Sequence, residues 1–170
     1  MTSPSWHIAA LQSDQAEELG NLARYIWHKH YPGIISQAQI DYMLRQRYDA
    51  TQIKQQLGQP GSWWKAAWTG TDMIGFSHYF LDDDPHRIKL DKIYVHPAWQ
   101  RCGVGAALLE QVESEARRQD RHILGLRTNK HNHNALAAYR KYGFIVVEAV
   151  VTEIGAGFVM DDYVLEKVLD

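Results

Sequence analysis

The chain has 170 residues, 45% hydrophobic and 22% charged, with 18 basic residues against 20 acidic ones, which reads as one soluble globular domain over residues 1–170 with a sizeable core. The net charge of −2 gives no electrostatic reason to expect nucleic acid, whose binders usually carry a basic face, and no apolar run approaches the roughly 20 residues of a membrane span. A single cysteine excludes an internal disulfide, and the opening MTSPSWHIAA lacks the basic and apolar regions of a signal peptide, so a cytoplasmic location is expected.

Ile8–Leu11 reads as a short first strand. Ser13 or Asp14 then caps a helix to about His30, with Ala16, Leu19, Leu22, Ala23 and Ile26 near helical spacing. Tyr31-Pro32-Gly33 breaks it. Ser36 starts a second helix over Gln37–Arg47, and Ala50–Leu57 reads as a third, stopped by Gly58. After the turn at Pro60-Gly61 the hydrophobic period changes. Trp63–Trp68, Met73–Leu81 and Arg87–Val95 read as strands, joined at Thr69–Asp72 and Asp82–Pro85. The acidic triplet Asp82–Asp84 is most simply a solvated turn, although it could also draw in a cationic amine. Gly103–Gln119 is a helix, His122–Arg127 a strand, and Asn132–Tyr142 a helix closed by Gly143. Phe144–Val151 and Met160–Val168 are the closing strands. The order β-ααα-βββ-α-β-α-ββ is a mixed α/β (α+β) architecture with one sheet.

Between the third strand of that triplet and the next helix lies Gln100-Arg101-Cys102-Gly103-Val104-Gly105-Ala106. This places two glycines at a helix N-terminus, where free N–H groups and the positive end of the helix dipole gather. Glycines let a bulky anion approach the backbone, so a phosphate or pyrophosphate is the natural guest. A Gly-x-Gly after a strand can equally be only a tight turn. No Gly-Lys-Ser/Thr marks a P-loop, and no G-x-G-x-x-G with a later acidic residue marks a dinucleotide site. In the following helix, Asn132 and Tyr139 lie seven residues apart, nearly two turns, and face the same way. A lone tyrosine there would more often be core packing. Tyr142 lies off that face and is expected in the core.

Together these two stretches resemble the GNAT superfamily of N-acetyltransferases. QRCGVG fits its Q/R-x-x-G-x-G/A motif through Gln100, Gly103 and Gly105. Asn132, Ala135, Tyr139, Gly143 and Phe144 fit the N-x-x-A-x-x-x-Y-x-x-x-G-F pattern of many members. The resemblance is specific over Lys89–Phe144. It implies a central mixed, mostly antiparallel sheet of about six or seven strands, flanked by helices and splayed at the fourth and fifth strands. It implies acetyl-CoA as co-substrate. The pyrophosphate would sit on the turn Gln100, Arg101, Cys102, Gly103, Val104, Gly105 and Ala106. The pantetheine arm would add alongside Ile93, Tyr94 and Val95, with Asn132 and Tyr139 beside it.

Acyl transfer to an amine needs a neutral nucleophile, a polarised thioester carbonyl and a proton for the departing thiolate. A backbone N–H near Ile93–Val95 can serve the oxyanion, and the resemblance makes Tyr139 the general acid. The base is open. Asp91 alternates with Ile93 and Val95 on one strand face, and His78 on the neighbouring strand titrates near neutrality. Each also has a plain reading, as a solvated strand charge and a satisfied half-buried histidine. A base acting through water is a third option. His28/His30 and His131/His133 lack a third ligand at a recognisable spacing, so no metal is expected. Cys102 reads as a loop residue rather than a nucleophile. The family's acceptor groove is lined by the loop between the first helices, here Trp27, His30, Tyr31 and Ile34, whose aromatics could cradle a cation or simply dock helices on the sheet. The expected partners are a small-molecule or peptide amine, with no nucleic acid and no membrane; a homodimer stays open. The competing reading from another class is a non-catalytic CoA-binding sensor or interaction module, which the same turn would serve.

Overall fold

The structure, a computed structural model, describes residues 5–170. Its elements are β1 (His7–Ala10), α1 (Ala16–His30), α2 (Gln37–Arg47), α3 (Ala50–Leu57), β2 (Ser62–Thr69), β3 (Asp72–Leu81), β4 (Arg87–Val95), α4 (Val104–Arg118), β5 (Ile123–Asn129), α5 (His133–Lys141), β6 (Ile145–Gly155) and β7 (Phe158–Val168). Helices α2 and α3 and strand β4 fall where periodicity and breakers put them. Ser36 caps α2 by accepting from the Gln39 N–H at 3.1 Å, and Asp49 caps α3 through Thr51 and Gln52. The start of α1 differs from expectation. Ser13 and Asp14 lie inside a short 3-10 turn, and the Gln12 N–H is met by the Gln15 side chain at 2.9 Å. Gln15 stands at the N-cap of α1 without a side-chain cap bond, where the sequence predicts a serine or aspartate cap.

Seven strands form one sheet in the order β1-β2-β3-β4-β5-β7-β6. All neighbours are antiparallel except β4 and β5. That parallel pair spans only Arg87–Leu90 against Ile123–Leu126. Beyond Leu90 and Leu126 the strands part and leave main-chain groups unpaired along the opening. The closing hairpin is longer than its sequence suggests, because the turn Gly155-Ala156-Gly157 takes three successive positive φ values, 100°, 53° and 80°, and lets both strands run to the loop.

Two layers of helix cover the sheet. On one face, α1–α3 bury Leu19, Ala23, Ile26, Trp27, Ile40 and Ile53 against Trp64 and Phe76. On the other, α4 buries Leu109, Val112 and Ala116 against Ile88, Leu90, Leu124 and Leu165. The Asp82–Asp84 turn is built into this scaffold. Asp82 and Asp84 side chains accept from the N–H groups of Asp84 and His86, and Arg121 donates to the carbonyls of Asp82, Asp84 and Arg87. Among the described residues no helix is long and apolar enough to cross a membrane.

Candidate active site

The parting of β4 from β5 opens a cleft of about 1400 Å³. It runs between the N-terminus of α4 at one mouth and the ends of α1 and α2 at the other. At the first mouth lie Gln100, Arg101, Gly103, Gly105 and Ala106, with Ile93 and Val95 from β4, Tyr139 from α5 and Asn132 at the N-cap of α5. Gly103 stands at the N-cap of α4 with φ 85°, a left-handed conformation that a side chain would strain. Arg101 is also left-handed, at φ 61°. This double reversal turns the chain from β4 into α4. The first-turn N–H groups of α4 have no acceptor within the helix. Gln100 braces the turn, its Nε2 donating to the Val95 carbonyl at 3.3 Å. Cys102 is exposed.

Asn132 and Tyr139 do share the cleft face of α5. The Asn132 amide is anchored: Oδ1 lies 3.0 Å from His30 Nε2, and Nδ2 lies 3.4 Å from Thr128 Oγ1. It therefore ties α1, β5 and α5 together at the middle of the cleft. Tyr139 packs edge-on to Phe144, ring centroids 5.5 Å apart. Burial, and then the neighbouring Tyr94, push its phenol well above the usual range. Tyr142 is not in the core; it is 40% exposed and lines the rim. Helix α5 is only nine residues long and buries a single residue, Leu136.

Asp91 is where the sequence reading of β4 fails. The register between β3 and β4 pairs His78 with Lys92 and then Tyr79 with Leu90, leaving Asp91 as an extra, bulged residue. A bulge shifts the side-chain alternation by one. Asp91 therefore shares the α2 side of the sheet with Lys92 and Tyr94, while Ile93 packs on the opposite side with the α4 cluster. Its carboxylate is heavily engaged. Oδ1 accepts from Arg47 at 3.2 Å, Oδ2 accepts from His78 Nδ1 at 2.9 Å, and Lys92 Nζ is a close partner. Burial would raise the Asp91 pKa, but His78, Lys92 and Arg47 together hold it far below the usual carboxylate range. Lys92 is itself buried, over the rings of Trp64 and Tyr48, and burial lowers its pKa to about 8.

His78 sits behind Asp91. It is 3% exposed, stacked on Trp64 at 4.4 Å, with Nε2 2.9 Å from Ser62 Oγ. With Nδ1–H donating to Asp91 and Nε2 accepting from Ser62, the neutral ring has no lone pair left over. Burial lowers its pKa. His78 lies behind Asp91 and is not among the residues lining the cleft, and both of its ring nitrogens already have partners.

The second mouth is lined by Trp27, His30 and Tyr31 and by Ile35 rather than Ile34; both isoleucines also pack against the core. Tyr31 and Tyr94 hydroxyls meet at 2.8 Å, and Trp27 lies 4.4 Å and 5.9 Å from their rings. Arg47 and Asp162 complete this floor. The sequence reading did not single out Arg47, Lys92 or Asp162. The available signal was Asp161-Asp162 inside an alternating apolar strand, where one of two adjacent carboxylates must point inward.

Residues 21–144 match the sequence model of the acetyltransferase (GNAT) family. A spermidine N(1)-acetyltransferase of Thermoplasma acidophilum is 26% identical over 163 residues, covering 92% of this chain and 96% of that protein. An uncharacterized N-acetyltransferase of Lactobacillus delbrueckii subsp. lactis, from the pepI 3' region, is 26% identical over 120 residues, covering 67% and 69%. Among solved structures, the PaiA N-acetyltransferase of T. acidophilum in complex with coenzyme A superposes with a TM-score of 0.82 at 23% identity, covering 96% of this chain and 99% of that one. A GCN5-related N-acetyltransferase of Rhodopseudomonas palustris gives 0.80 at 20% identity, covering 99% and 98%.

Proposed function

The chain belongs to the acetyltransferase (GNAT) family, and from that premise we propose that, as a single acetyltransferase domain, it moves an acetyl group from acetyl-CoA to an acceptor amine by direct attack. The observation that carries this reading is the convergence of the strained glycine turn, the parted edge of β4 and Tyr139 on one continuous cleft. A CoA-binding module without catalysis would need the turn but not a second, aromatic mouth leading to the same point.

The residues fit the co-substrate. The N–H groups from Arg101 to Ala106 would hold the pyrophosphate, with Gly103 and Gly105 leaving room for it, and main-chain groups at Ile93–Val95 would hold the arm as an added strand. Acetyl-CoA, when bound, supplies the acetyl group as a thioester. A backbone N–H of β4 stabilises charge on the carbonyl oxygen. The amine nitrogen forms the C–N bond as the C–S bond breaks. The Tyr139 hydroxyl proton goes to the departing sulfur, and the amine's surplus proton leaves to solvent, which reprotonates Tyr139. Asp91, the expected base, is assigned a different task. A carboxylate with three cationic or N–H partners and so low a pKa is a weak proton acceptor, and it serves instead to fix Arg47 and Lys92 under the cleft. Deprotonation of the amine then falls to water, and the rate follows the amine's free-base fraction.

An acetylation screen over an amine panel, read by CoA release, tests the reading. The spermidine acetyltransferase relationship makes di- and polyamines the first members of that panel. Release that depends on an added amine and matches its acetylation one to one supports the reading; CoA binding with no transfer to any amine supports the sensor instead.

A further inference from the structure

Asp162 of β7 is the anomaly of the second mouth. It is 2% exposed, it lines the cleft, and its Oδ2 has no hydrogen-bond partner among the described residues. A buried carboxylate oxygen left without a partner is destabilising to the fold. Three cations act on it, Arg127, Arg47 and Lys130, yet each donates elsewhere. Arg47 donates to Asp91, Arg127 donates to Thr152, and Lys130 is ion-paired with Asp161. Burial leaves the Asp162 pKa above the ordinary value, as befits a carboxyl without a counterion. In register Asp162 is opposite Asn129 of β5, across the opening from Tyr94, which lines the same cleft. The wall around Tyr94 is aromatic, made by Trp27 and Tyr31, and aromatic faces favour cations.

We propose that Asp162 is the anchor for a second positive charge on the acceptor, so that the cleft selects a diamine or polyamine over a monoamine. The proposal rests on the acetyltransferase reading and adds the residue that sets its specificity. An ammonium held between Asp162 and the aromatic wall keeps its charge, because its proton is part of the contact. The other nitrogen of the same molecule, carried toward Tyr139, is the one that loses its proton and attacks. A monoamine can fill only one of these places. Asp162 on this account binds and positions the acceptor and takes no proton from the attacking nitrogen.

The test compares 1,4-diaminobutane with n-butylamine, which share a four-carbon chain and differ by one amino group. Wild-type protein should show kcat/KM at least tenfold higher for the diamine, mainly through KM. Asp162→Asn should cut the diamine value at least tenfold more than the monoamine value. Asp162→Glu, which restores the charge on a longer arm, should recover the preference and move it toward a different chain length. Calorimetric binding of the diamine is measured beside turnover and should weaken in Asp162→Asn. Equal loss on both amines would make Asp162 a base or a structural residue and overturn the proposal. Equal kcat/KM for the two amines in the wild type would overturn it without any variant. If the wild type transfers acetyl to no amine but binds the diamine through Asp162, the reaction fails and the anchor stands; if it neither transfers nor binds, both fall.

Discussion

Burial fixes the protonation state of Tyr139. With its pKa raised, the phenol keeps its proton across the neutral range, which suits an acid, although giving that proton to a thiolate near 8.5 is uphill. Tyr139→Phe should lower turnover about 10²-fold or more with little change in acetyl-CoA binding; turnover within about twofold of wild type, with chemistry limiting the rate, would make the ring a packing element. Asp91 is expected to matter in another way. Asp91→Asn leaves Lys92, whose side chain is 4% exposed, and Arg47 without their counter-charge. Breaking a buried pair from one side costs about 3–5 kcal/mol. The denaturation midpoint should fall accordingly, while the pH–rate profile of the folded fraction keeps its shape because the amine's own titration sets it. His78→Ala should likewise leave that shape intact. A selective loss at neutral pH in Asp91→Asn, recovered at high pH, would return the base role to Asp91.

At the scale of elements, the glycine turn is defined by backbone shape. Gly103 has φ 85° at the N-cap of α4, and Trp6 lies 3.9 Å from where a Cβ would stand. The space is adequate; the conformation is what excludes a side chain. Gly103→Val forces either strain of about 1–3 kcal/mol or a rearranged turn that withdraws its N–H groups. CoA affinity should fall at least tenfold, about 1.4 kcal/mol, by calorimetry on protein whose melting shows it folded. Unchanged affinity would move the pyrophosphate site elsewhere. The β4 bulge is the other element that matters. It turns Asp91 toward α2 and away from Ile93, and so separates the ion cluster from the α4-facing side of the strand.

For the molecule as a whole, the ion cluster binds α2, β3 and β4 into one unit and makes stability depend on pH. The folded His78 pKa lies below its ordinary 6.5. As pH falls below about 6.5, the unfolded chain takes up a proton that the folded chain refuses, so stability drops until the folded value is passed. Asp91 adds a loss of the same sign below about 3.8, where the unfolded carboxyl protonates and the folded one stays ionised. Asp162, with a raised pKa, works in the opposite direction above 3.8. The measurement is therefore a difference. Between pH 7 and pH 5 the Tm of the wild type should fall more than that of His78→Gln. Parallel slopes would mean His78 is not the group that titrates.

The element order is legible in the chain because breakers such as Pro32-Gly33 and Gly58 and the change of period after Pro60-Gly61 are local signals, and α2, α3 and β4 end where those signals put them. The sequence also determined the two motifs that carry the family, since a glycine turn and a tyrosine two helical turns after an asparagine are written within short stretches of chain. The faces were decided elsewhere. A bulge exists only when two strands are in register, so nothing within Lys89–Val95 could say that Asp91 leaves the face of Ile93. Tyr142 is exposed at the C-cap of α5, because what covers a helix end is a matter of tertiary packing. Arg47, Asp91 and Asp162 are 44 and 71 residues apart along the chain and come to line one cleft only in the folded molecule. Whether a charge in that cleft is paired or left waiting depends on distances across strands and helices, and those are set by tertiary packing alone.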